Sequence, residues 1–313
     1  MIVRRTFRPH KIIPYIWAEV TFTLVVAVCV YVLAGAGGRR ELVLPFGPLG
    51  VLGTALAIFL GFRANQSYAR WWEARGLWSA ITSQCRILAR QLVSAADNAH
   101  ALGKGGGAEA VASFKREMVY RLIAFAHALR LHLRGQEDPD ALRPLVPPGE
   151  LERLARAANR PNLLLQIQAD RLKYAVRAEV VGQFDPISIE PNLVALNNWQ
   201  GACERIKQTP MPRQYDFFTR LFLWVFFLLL PSSLIGLFAP GAASWPMIPL
   251  AGLIALVYAT VNRAGQVIED PFENRLQDVP MTALCIAIER DLREQLGETD
   301  LPPAAVAVDG FLM

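Results

Sequence analysis

Within residues 49–78 the chain changes character over a single helical turn. LGVLGTALAIFLGF is apolar and rich in small residues, whereas RANQSYARWWEARGLW is polar, basic and aromatic. This junction constrains the fold more than any other feature. The first half suits hydrocarbon, and the second suits a membrane–water border, where Trp and Arg collect. Thr54, Ile58 and Phe62 fall four apart and share one helical face. That spacing serves a face turned to lipid or to a neighbouring helix as well as one lining a pore. One helix cannot enclose a channel, so the pore reading requires a symmetric ring of subunits. In such a ring Ile58 and Phe62 form a narrow, dewettable constriction and Thr54 adds a polar step. Arg63, Asn65, Gln66 and Ser67 then line a wetter inner vestibule. Arg63 favours anions there unless an acid such as Glu73 neutralises it.

Composition supports a membrane chain with a polar portion. Of 313 residues, 53% are hydrophobic and 19% charged, against about 25% charged in soluble domains. The mean hydropathy is +0.27. Four spans are expected, at 12–35, 43–62, 215–238 and 247–261. Glu19 interrupts the first, and an acid there must face protein or water. Pro48 and Gly50 predict a break at the outer end of the second, and Pro231 a kink in the third. Between the second and third spans the chain is Arg-rich and amphipathic. Helices at 72–96, 108–135, 150–158, 163–181 and 191–207 are expected there, and a charged one at 283–296. None of these is apolar enough to span a bilayer. The glycines at 103–107 read as a linker.

The expected architecture is an all-α membrane protein with four transmembrane helices and a cytosolic helical bundle. Its regions are 1–72 (basic arm and first two spans), 73–213 (bundle), 214–266 (last two spans) and 267–313 (C-terminal helix and tail). The basic arm carries Arg4, Arg5, Arg8 and Lys11, and no A-x-A cleavage site follows, so the first span is read as retained. The positive-inside rule places both termini and the bundle in the cytoplasm, with the chain in the cell membrane.

Catalytic, metal and cofactor chemistry is not indicated. His127 and His132 lie five apart, which is wrong for a helical metal pair, and HExxH, GxSxG and Walker A sequences are absent. The four cysteines, Cys29, Cys85, Cys203 and Cys285, lie far apart and read as reduced apolar residues. The net charge of +5 comes without a nucleic-acid-binding motif, so it is assigned to cytoplasmic loops. A membrane-anchored scaffold without ion flux is the alternative to a channel, and a proton-coupled transporter using Glu19 is a third reading.

Three motifs, FLGFRANQSYARWWEARGLW, GACERIKQTPMPRQY and EDPFENRLQDVPM, resemble the bestrophin family, specifically its bacterial branch. The resemblance extends from the N-terminal arm to about residue 293. It implies a homopentameric ion channel with an apolar neck on the second membrane helix and a second constriction at a cytosolic aperture. Matched through the RWW motif, the neck falls on Thr54, Ile58 and Phe62. Thr54 departs from a purely apolar ring. The aperture falls on Leu193 or Asn192, with Leu196 one turn on, and Leu193 is the better steric plug. Animal members are calcium-activated anion channels whose calcium clasp is an acidic run after the Pro-Phe pair. Here Pro271-Phe272 is followed by Glu273, Asn274, Arg275, Leu276, Gln277 and Asp278, too few clustered oxygen ligands for such a site. Bacterial relatives pass cations, so the resemblance leaves chloride and sodium both open. The partners implied are monovalent ions, the lipid bilayer and further copies of the chain, with no cofactor and no nucleic acid.

Overall fold

The computed structural model describes residues 13–104, 107–239 and 242–307, and among them no strand occurs. The basic arm expected at 1–11 lies outside these residues. The α-helices are α1 (Ile13–Val30), α2 (Phe46–Ala101), α3 (Ala108–Leu133), α4 (Pro148–Arg156), α5 (Arg160–Arg177), α6 (Asp185–Gln208), α7 (Arg213–Leu234), α8 (Met247–Ile268) and α9 (Met281–Gln295). Four helical stretches are long and apolar enough to cross a membrane, and they contain α1, α2, α7 and α8.

The expected break near Pro48 is not seen. Pro48 sits in the first turn of α2, where a missing N–H leaves no helical bond unmade. Helix α2 then runs unbroken for 56 residues, about 84 Å at 1.5 Å per residue. The polar switch at Arg63 changes what surrounds the helix without ending it. Helix α6 also starts earlier than the expected residue 191. Asp185 fastens its start by accepting the backbone N–H of Gly182 at 2.8 Å, and Pro191 is carried inside the helix. Helix α8 continues past residue 261 to Ile268.

The chain falls into two compact units. The first takes in residues 72–209 and the chain from Pro271 onward. Its core gathers Trp78, Leu88, Phe114, Phe125, Leu196 and Ile288 from α2, α3, α6 and α9. Helix α3 is its axis, packing on α5 and α9. Local signals set its helix ends. Asn159 caps α5 by accepting the Asn162 N–H at 3.0 Å, and Pro147-Pro148 open α4, which places Arg153 and Arg156 in its last turn.

The second unit takes in the described chain up to Trp71 together with residues 210–270. Helices α1, α7 and α8 pack on one another, around a core that includes Ala27, Leu56, Leu60, Phe227, Leu230 and Ala251. Small residues bring the helices close. A Cβ on Gly265 would lie 3.4 Å from the Ala64 Cα, and one on Gly53 would lie 3.1 Å from the Phe226 ring. Phe217, Phe222, Leu253 and Val257 are exposed on this unit, as expected where the solvent is lipid.

Candidate functional site

Helix α2 presents one face that its own chain leaves uncovered. Ile58 is 56% exposed and Phe62 62% exposed, while Leu56 and Leu60, each two residues before one of them, are buried. Thr54 lies on the same exposed face, and its hydroxyl donates to the Gly50 carbonyl at 2.9 Å, so its polar atom is satisfied within the helix. The face continues through Asn65, Gln66, Ala69, Trp72, Gly76 and Ser83, all exposed. Residues three and four apart recur on it along most of the helix. Its character changes from apolar at Ile58 and Phe62 to polar at Asn65 and Gln66. On the opposite side, Tyr258 of α8 donates to the Gly53 carbonyl at 2.9 Å and anchors the upper part of α2.

Arg63 does not join this face. It is 4% exposed and points into the second unit. Its guanidinium meets Asp216 of α7 at 2.5 Å and Glu269, just past α8, at 3.1 Å, and donates to the Asn262 amide oxygen at 3.4 Å. Asp216 also pairs with Arg220 and accepts from Gln266 at 3.2 Å. The neutralising acids are therefore Asp216 and Glu269. Glu73, the acid expected in that role, pairs with Arg205 at 2.6 Å. Of the four expected vestibule residues, Asn65 and Gln66 are exposed and Arg63 and Ser67 are buried. A hydrophobic-to-polar pattern cannot reveal this, because the partners of Arg63 lie on elements far along the chain.

On α6, Leu193 and Leu196 are 4% and 0% exposed and belong to the core of the first unit. Other apolar residues face outward: Phe184 just before the helix, Ile187 in the extra turn and a half at its start, and Val194 further along are exposed, Ile187 at 72%. Asn192 is half-buried and ties α6 to α2. It accepts from Gln84 at 2.5 Å and donates to Gln91 at 2.6 Å and to the Ser188 carbonyl at 2.8 Å. Pro191 has no N–H, so the Ile187 carbonyl lacks its usual partner four residues on.

After Pro271-Phe272 the acids are engaged within the chain. Glu273 meets Lys207 at 2.5 Å, and Asp278 accepts the Arg275 N–H at 2.9 Å. Burial pushes the Asp278 carboxyl above its ordinary range, against the pull of that N–H. Among the described residues no group of three or more His, Cys, Asp or Glu side chains is arranged to hold a metal ion. Burial also pushes the Cys203 and Cys285 thiols up to about 12, so both are unreactive, small apolar residues.

Residues 4–294 match the family model described as bacterial/fungal bestrophin protein. The voltage-dependent anion channel-forming protein YneE of Escherichia coli K12 is 30% identical over 256 residues, 82% of this chain and 78% of that protein. A protein of Ralstonia nicotianae with the same description is 30% identical, over 83% of this chain and 80% of its own length. A crystal structure of a bacterial bestrophin homologue from Klebsiella pneumoniae superposes with a TM-score of 0.81 at 25% identity, covering 92% of this chain and 98% of that one. Sequence match and fold agree along nearly the whole length, and the chain belongs to the bacterial/fungal bestrophin family.

Proposed function

We propose that the protein is a homopentameric channel of the cell membrane that passes small monovalent ions. The observation that carries this reading is the exposed face of α2, apolar at Ile58 and Phe62 and polar at Asn65 and Gln66. Copies of that face around an axis cover one another and leave a conduit, with Thr54, Ile58 and Phe62 as its neck and Asn65 and Gln66 as the start of its inner vestibule. The names of the relatives, which include anion channel formation, support ion passage. The first unit is the cytosolic bundle in this reading, with both chain termini on its side of the membrane. Ile187 takes the place of Leu193 as the aperture residue, and Asn192 holds its helix against α2. Glu273 and Asp278 are committed to Lys207 and Arg275, which supports a channel that opens without calcium at that segment.

Widening the neck tests the reading. Replacing Ile58 and Phe62 together by Ala should raise single-channel conductance in planar bilayers several-fold. Purified wild-type protein that assembles but passes no ions in liposomes would leave the scaffold reading instead.

A further inference from the structure

Arg63 is the residue directly after Phe62 and points about 100° around the helix from it, into protein and away from the exposed face. A cation in that position is poorly screened, because neither water nor salt reaches it. Left alone it would place one positive charge per subunit behind the neck. It is not left alone. Asp216 and Glu269 approach it at 2.5 and 3.1 Å from two other elements, and Asn262 supplies a neutral amide. Two further cations face the cluster. Arg220 pairs with Asp216 but is more than half exposed, so solvent weakens its field. Arg263 donates to Gln266, whose amide donates on to Asp216. The group is thus a buried cation compensated by two carboxylates, with its residual positive charge at the wetter rim. The tight approach of Gly265 to Ala64 holds α8 where Glu269 can reach Arg63.

We propose that Arg63, Asp216 and Glu269 set the ionic sign of the neck from behind it. They are specificity-determining residues that never touch the ion. This rests on the channel reading above. The balance of charge in the cluster fixes the potential at Phe62, so changing that balance moves selectivity in a direction given by the sign of the change. Removing a carboxylate favours anions, and removing the guanidinium favours cations. Removing one of each restores the original balance.

The test is the reversal potential of the purified, reconstituted channel across a potassium chloride gradient. Glu269→Gln and Asp216→Asn should each raise the anion-to-cation permeability ratio by about threefold or more. Arg63→Gln should lower it by a similar factor, while Arg63→Lys and the double change Arg63→Gln with Glu269→Gln should stay near wild type. If Arg63→Gln does not assemble, the two carboxylate variants and the double variant decide the matter. Wild-type-like reversal potentials in conducting Glu269→Gln and Asp216→Asn channels overturn this proposal alone. So do carboxylate and guanidinium variants that shift in the same direction, which is the mark of a merely structural role. Absence of current in the wild type as well removes the channel reading, and this proposal with it.

Discussion

Two buried arginines, one in each unit, are held by almost the same chemistry. Arg121 is 2% exposed and meets Glu117 at 2.7 Å and Glu150 at 2.6 Å, with the Gln168 amide oxygen at 3.2 Å. Arg63 is 4% exposed and meets two carboxylates and the Asn262 amide. Each is a guanidinium with two acids and one amide. Their surroundings differ. The Arg121 group sits in a unit built like a soluble domain, where an ion network fixes how α3, α4 and α5 meet. The Arg63 group sits among helices whose outer surface is Phe, Leu and Val. There an unpaired charge is costly. Similar local geometry thus serves packing in one place and, in our reading, selectivity in the other.

That contrast can be broken by experiment. The largest effect expected is on stability. Arg121→Met leaves Glu150 without its buried partner and should lower unfolding stability by about 3 kcal/mol, read by denaturant titration in detergent. Its reversal potential should equal the wild type's. A shift there would erase the distinction between the two arginines.

A smaller effect sharpens the same point. Burial raises the affinity of Glu117 for its proton, but hydrogen bonds and charge from Arg121 and Arg171 outweigh it and hold the carboxyl below its ordinary value of 4.5. A depressed carboxyl contributes stability above its unfolded value and loses it as pH falls through the folded one. Thermal stability should therefore fall below about pH 4.5, and Glu117→Gln should be less stable at neutral pH with a shallower acid slope. An unchanged slope in Glu117→Gln would place the acid sensitivity elsewhere, for example at Glu289, which His127 and Arg293 hold low against burial.

The comparison also explains what the sequence could reveal. The Arg121–Glu117 pair is spaced i,i+4 on one helix, so a local pattern carries it. Arg63 and Glu269 are 206 residues apart, and periodicity says nothing across that gap. The four apolar stretches and the Thr54, Ile58, Phe62 spacing were legible because burial and exposure follow the helical repeat. The continuity of α2 was not, because a helix leaving hydrocarbon for water and a helix ending at the border share the same switch in composition. The aperture positions at 192, 193 and 196 come from motif spacing, which fixes a place along the chain and not which side chains the core takes up. Leu193 and Leu196 lie in the core of the first unit, on a helix that begins at Asp185.

The central claim is that Phe62 faces the ion path. The most direct measurement is current through Phe62→Cys channels, with the exposed Cys29 changed to Ser, before and after a charged, water-borne thiol reagent is added. Our account predicts that the reagent abolishes most of the current within the time the wild type stays unaffected. Current that persists unchanged, with the thiol still unmodified by mass spectrometry, would put Phe62 against lipid and contradict it.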